Sequence, residues 1–184
     1  MTRRRAGDCV ASEKDAERQL ESFIAKFTPE IAACVRDVRA RMLAKFPTAL
    51  ELVYDNYNAL AIGYAPSEKT SEAIFSIAAY PRWVSLFFLQ AVGLPDPERI
   101  LKGNGKVVKH IVLPSPDALD RPAVRELMRE AEVRTNPPFA RMGTNRLIIK
   151  SVSETQRPRR PAAKKARTPL AATHSRKGTE SVKR

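Results

Sequence analysis

Cysteine is scarce in this 184-residue chain, which has only Cys9 and Cys34. Two isolated thiols give no disulfide framework, so a reducing, cytoplasmic location is expected. Histidine is as scarce: His110 and His174 stand far apart, and neither has cysteines or histidines nearby at zinc-ligand spacing. Long apolar runs are also missing. The longest extend over a few residues, as in the IAACV at Ile31 to Val35, so no bilayer span and no membrane partner are expected. The first residues, MTRRRAGDCVASEKD, are charged without an apolar segment and do not read as a secretory signal. No internal repeat is visible.

Charge is present in excess, and its distribution is uneven. The formal net charge is +13. Residues 1–12 carry Arg3, Arg4 and Arg5 against one acid and read as a disordered basic lead. Residues 13–150 hold 20 basic and 17 acidic residues and read as the folded domain. Residues 151–184 hold ten Lys/Arg against two acids and few large apolar side chains. Such a segment buries too little to offset its ordering entropy, so a disordered Lys/Arg/Pro/Ala-rich tail is expected.

The middle zone predicts an α+β fold. Its parts are two N-terminal helices, an antiparallel sheet of about five strands and one C-terminal helix, followed by the basic tail. Leu20, Phe23, Ile24 and Phe27 keep helical spacing after Ser12, a plausible N-cap. Thr28 and Pro29 then open a second helix whose apolar stripe is Ile31, Cys34, Val35, Val38, Met42 and Phe46. This places Cys34 in the core rather than in a reactive role. Period-two patterns follow in LELVYD and in LAIGY, with a turn at Asp55-Asn56. AIFSIAAY and WVSLFFL form the next pair, turning at Tyr80-Pro81-Arg82, and VVKHIVL a fifth strand. Asp120 is expected to cap the last helix, with Val124, Leu127, Met128 and Ala131 buried. RLIIK reads as a short edge strand. Hairpins without crossover helices predict antiparallel pairing, and helices gathered at the chain ends predict an α+β layer fold. Ala59, Ala61 and Gly63 leave one face of a hairpin shallow. Close helix packing against that face is the expectation; the alternative is a ligand groove, to which Tyr80 and Trp83 would contribute.

The stretch GLPDPERILKGNGKVVKHIVL, Gly93 to Leu113, is the most distinctive. Asp96-Pro97 predicts a one-turn helix that Gly103 ends. Lys102, Gly103, Gly105 and Lys106 compose a candidate anion-binding loop, in which backbone N–H groups cradle the ligand and lysines supply charge. It is not a P-loop: Ile100 and Val107 occupy the places of that motif's first glycine and its hydroxyl residue. A connection with solvated lysines is the plainer reading.

These pieces resemble a family. LELVYD, FSIAAYPRWVSLFF, GLPDPERILKGNGKVVKHIVL and DRPAVRELM, within Glu13 to Glu132, are similar to the YdhG-like domain-of-unknown-function family, with Lys109 standing where that pattern has arginine. The resemblance implies a small α+β domain with no established enzymatic activity. Some relatives are described as frataxin-like iron-delivery proteins, so iron is the one cofactor the resemblance raises. Iron that must be released again is held by oxygen ligands. Glu13, Glu17 and Glu21 fall at i, i+4 and i+8 on one face of the first helix and are the candidate metal residues. A solvated helix face has the same spacing.

Two further functions compete with iron binding or delivery. The tail, through Arg157, Arg159, Arg160, Lys164, Lys165 and Arg167, can neutralise a DNA or RNA phosphate backbone without reading sequence. It has no Phe, Tyr or Trp, so base stacking on it is not expected. The other option is a small-molecule or partner-binding module. For an enzyme, only Glu51, Asp55 and His110 are candidate titratable groups on neighbouring strands, and no catalytic residue is assigned.

Overall fold

The computed structural model describes residues 6–161. The fold is α+β: three helices, α1 (Ala6–Ile24), α2 (Pro29–Lys45) and α3 (Pro122–Arg134), with one six-stranded sheet. The strands are β1 (Leu50–Asp55), β2 (Leu60–Ala65), β3 (Phe75–Ala79), β4 (Val84–Phe88), β5 (Lys109–Leu113) and β6 (Arg146–Val152). Their order across the sheet is β5-β4-β3-β2-β1-β6.

The first five strands form the expected antiparallel meander. The sixth makes the sheet mixed, because β6 lies parallel to β1. β5 is one edge of the sheet and β6 the other, so the chain between them crosses the whole sheet, and α3 lies in that connection. A strand that returns after such a crossover can enter parallel, which a hairpin cannot do.

All three helices contribute to one face of the sheet. Leu20, Phe23, Ile24 and Phe27, then Val35, Val38, Met42 and Phe46, then Val124, Leu127, Met128 and Ala131 are buried there, as their spacing predicts. Ile31 and Cys34 pack half-buried at the margin. On the sheet they meet Val53, Ile62, Ile77 and Leu86, which lie opposite one another in successive strands. Phe46 stacks on Phe75 at 5.1 Å, and Phe75 meets Phe88 edge-on at 5.6 Å. Packing of the helices against the shallow face of Ala61 and Gly63 does not occur. That face carries Leu52, Ala65 and Ala73 in a small separate cluster beneath the turn at Thr70–Glu72. The strands' larger residues are on the opposite side, and burying them takes the helices there.

Local signals hold in part. Thr28 caps α2, accepting from the Ile31 N–H at 3.4 Å, with Pro29 at the first position. Helix α1 begins at Ala6, so Ser12 is inside it and the basic lead is helical from that point. Asp120 does not cap α3. It binds Arg41 and Lys45 of α2 instead, and Arg121 takes the cap position without a side-chain bond. Asp96 accepts from the Ile100 and Leu101 N–H groups at 2.9 Å each, yet no helix follows, because Arg99 turns left-handed at φ 53°.

The boundary expected at residue 150 is also corrected. Residues 153–161 continue from β6 as a strap across the end of the sheet. The Ser153 N–H donates to the Asp55 carbonyl and the Arg157 N–H to the Tyr57 carbonyl, both at 2.9 Å. Arg159 is buried and donates to the Asp55 carboxylate at 2.7 Å, with its guanidinium over the Phe27 ring. Lys26 reaches the other Asp55 oxygen at 2.7 Å. Ordering entropy is offset here by a buried ion pair and backbone bonds, which composition does not reveal. Replacing Asp55 by Ala leaves a buried guanidinium without its counter-charge, a loss expected to cost about 3–5 kcal/mol. Urea unfolding should register that loss, and a chain ending at Val152 should unfold at lower urea than one ending at Pro161.

Candidate functional site

The predicted site residues separate into three places. On α1, Glu17 and Glu21 face α2 and are bound by its arginines. Arg36 grips Glu21 through its Nε and Nη2 at 2.9 Å, and Arg39 bonds Glu17. Arg39 also holds the fully buried Glu51 carboxylate of β1, at 2.9 Å from Nε and 2.7 Å from Nη2. Glu13 is exposed. Among the described residues no group of three or more His, Cys, Asp or Glu side chains is placed to hold a metal ion. Glu17 and Glu21 tie α1 to α2 through Arg39 and Arg36.

The loop of Lys102, Gly103, Gly105 and Lys106 folds back on β5. Lys102 and His110 exchange backbone bonds at 2.8 and 2.9 Å. Gly103 sits at φ 113°, where a side chain would be strained, and its carbonyl accepts the Lys109 ammonium at 2.6 Å. The carbonyl of Val107 accepts from the Ala91 N–H. Both carbonyls are thus taken up by bonds within the loop and its neighbours. Lys102 and Lys106 are exposed.

Glu51, Asp55 and His110 do not converge. Glu51 and Asp55 project to the helix-covered face, opposite Tyr64 and Leu60, while His110 lies on the other face and stacks on Phe87 at 5.0 Å. Burial, then the Lys102 charge, lowers the His110 pKa. Burial beside the Glu51 carboxylate raises the Tyr64 phenol well above its ordinary range. Burial and Asp37 raise the Cys34 thiol, consistent with a packing role.

The third place is a groove of about 720 Å³ at the end of the sheet, within the size range of ligand sites. One wall is the β3–β4 turn. There the Tyr80 N–H donates to the Trp83 carbonyl at 2.9 Å, Pro81 fixes the bend, and Tyr80 stacks on Trp83 at 5.0 Å and 23°. The other wall is the strap, with Arg157, Pro158, Arg160 and Pro161; Asn58 lies between the two. Arg160 is oriented by the carbonyls of Phe27 and Ala25 at 3.1 and 3.2 Å. Among the described residues the Arg157 guanidinium reaches the Asn58 side chain, at 3.5 Å. Arg82 completes a lining that, among the described residues, has three guanidinium groups and no carboxylate. Of the tail residues, Arg157 and Arg160 thus face the groove, Arg159 serves as its anchor rather than as a free contact, and Lys164, Lys165 and Arg167 lie outside the described residues. Sequence reading places Trp83 and Tyr80 near a turn, but separates them from Arg157 and Arg160 by more than seventy positions.

The two kinds of pair differ in predicted cost. Arg39→Ala strands the buried Glu51 charge and is expected to cost about 3–5 kcal/mol, whereas Glu17→Gln, at an exposed pair, costs about 1 kcal/mol or less. Chemical unfolding of both variants checks this. The hydrogen bond from Arg36 holds the Glu21 carboxyl below its ordinary value of 4.5. Its contribution is therefore fully present above that pH and is lost as pH falls below it. Unfolding midpoints measured from pH 7 downward should decline less steeply in Glu21→Gln than in the wild type. No helix among the described residues is long and apolar enough to cross a membrane. No protein-family model, curated protein or solved structure matches this chain.

Proposed function

We propose that this chain is a non-enzymatic, cytoplasmic, nucleic-acid-associated protein that grips the phosphate backbone through the cationic end of its sheet and the basic segment beyond it. The observation that carries this reading is the groove lining among the described residues: Arg82, Arg157 and Arg160 together, with no carboxylate. Carboxylates would have neutralised the site, as they do for Arg36, Arg39 and Arg41 elsewhere. The chain leaves this groove directly into Lys164, Lys165 and Arg167, so folded and tail cations form one continuous basic stretch of sequence. Membership of the YdhG-like family is part of the proposal and rests on the four matching pieces. It leaves the ligand open, and the iron reading lacks support of this kind, because Glu17 and Glu21 are held by arginines.

Backbone binding of this kind is driven by counterion release, so log affinity should fall linearly with log salt, by roughly 0.7–0.9 per phosphate neutralised. Fluorescence anisotropy with a labelled oligonucleotide at several salt concentrations measures the slope. Removal of residues 162–184 should flatten it. Arg82→Ala and Arg157→Ala should each reduce it by about one contact. Removal from residue 151 is not an equivalent test, since it takes away the buried Arg159 as well. A full-length protein with a flat salt dependence would sink the proposal.

A further inference from the structure

We infer that the groove at the sheet end is a single-strand site, in which an unpaired nucleobase stacks against Trp83 while Arg82, Arg157 and Arg160 hold the adjoining phosphates. This rests on the nucleic-acid reading above and adds the form of nucleic acid that is preferred.

The argument begins with the tryptophan. Trp83 is the chain's single Trp, and it is 43 % exposed on a folded turn. A large aromatic ring left in water has an unfavourable hydration that burial would relieve. Packing does not require its position, because the next residue, Val84, already points into the core. Tyr80 backs the indole as a stacked partner, so the ring is held flat and its orientation is set before any ligand arrives. Pro81 stiffens the turn between them. A preset planar surface suits another planar ring, and stacking on it tolerates any base, since every base has a π-face.

The cations supply the second half. A nucleotide carries its charge on the phosphate beside the base, so its recognition needs guanidinium groups next to the stacking surface. The strap brings Arg157 and Arg160 to that place, and the turn itself contributes Arg82. Guanidinium groups pair with phosphate oxygens in a bidentate fashion. Arg160 is already aimed by two backbone carbonyls, which lowers the ordering cost of binding. An exposed Tyr57 on the neighbouring β1–β2 turn lies along the same end of the sheet, where a strand leaving the groove can continue. Duplex DNA keeps its bases inside the stack, where Trp83 cannot reach them. An acidic peptide offers the charge without the flat ring, so the aromatic pair favours the nucleic acid.

The test uses the full chain with two readouts: the intrinsic fluorescence of Trp83 in the wild type, which reports on this groove alone, and the anisotropy of labelled probes, which also serves the variants that lack the indole. Three probes are titrated: oligothymidylate, a duplex of equal length, and polyglutamate. Oligothymidylate is expected to quench the emission and to bind more tightly than the duplex. Trp83→Ala should weaken oligothymidylate binding by about 5- to 150-fold, the range that loss of one stacked base gives. Trp83→Phe should restore most of it, and should remain informative if the alanine variant does not fold. Duplex affinity should change little in either variant. Equal affinity for single strand and duplex, with Trp83→Phe and Trp83→Ala both as tight as the wild type, would overturn the groove assignment while leaving backbone binding standing. Equal quenching by polyglutamate would overturn it in favour of an acidic peptide. Binding to neither nucleic acid would remove the groove assignment together with the reading beneath it.

Discussion

The Asp55 carboxylate is the point on which the hairpin end of the sheet and its strap depend. It closes β1 and is almost completely withdrawn from water, with one oxygen on Lys26 from the α1–α2 turn and the other on Arg159 from the strap. Its backbone carbonyl takes the Ser153 N–H and the Gln156 side chain. One residue thus joins three parts of the chain that are distant in sequence. A buried carboxylate needs such partners, because removal from water disfavours the charge unless cations and donors replace its hydration. The strap is the supplier of that replacement, and by lying where Asp55 requires, it becomes one wall of the groove. The groove is therefore a consequence of a solvation requirement at the end of β1.

The same rule explains where the sequence was legible and where it was not. Helical stripes such as Leu20, Phe23, Ile24 and Phe27, or Val124, Leu127 and Met128, are read from neighbours three and four positions away, and all are buried as expected. The Thr28-Pro29 helix start and the Tyr80-Pro81-Arg82 turn are equally local. The facing of β1 was harder to read. Glu51 and Asp55 alternate with apolar residues and have the appearance of a solvent edge. They are buried because Arg39 and Arg159 arrive from elsewhere, Arg159 from 104 positions away. Arg39 stands only 12 positions from Glu51 but on a separate element, and no local window contains both Asp55 and Arg159.

The parallel placement of β6 and the strap that follows it were hidden for a related reason. RLIIK has strand character, but its partner is decided by a crossover from the opposite edge of the sheet. Beyond it, Arg157 to Pro161 has the composition of a disordered arm. Composition averages over residues, whereas order here depends on one arginine with a buried counter-charge. The candidate site was half legible in consequence. Its aromatic wall, Tyr80 and Trp83, was visible at a turn, and its cations were visible as a tail. Their meeting was not.

The resulting distribution of charge says more than its total. Within the described domain most acids near the helices are engaged: Glu17 and Glu21 with Arg39 and Arg36, Asp117 and Asp120 with Arg41, Glu126 and Glu130 with Arg129. These pairs cancel at distances longer than a Debye length, about 8 Å at physiological salt. The helical side of the protein is thereby close to neutral as seen by an approaching ligand. At the hairpin end Arg82, Arg157 and Arg160 have no such cancellation among the described residues, and a cleft concentrates their field. An anionic chain would be drawn to this end first, where the only flat, exposed indole of the protein stands beside the charges. In the proposed reading, electrostatics would select the end, and the aromatic pair would give that end a chemical preference that charge alone cannot provide.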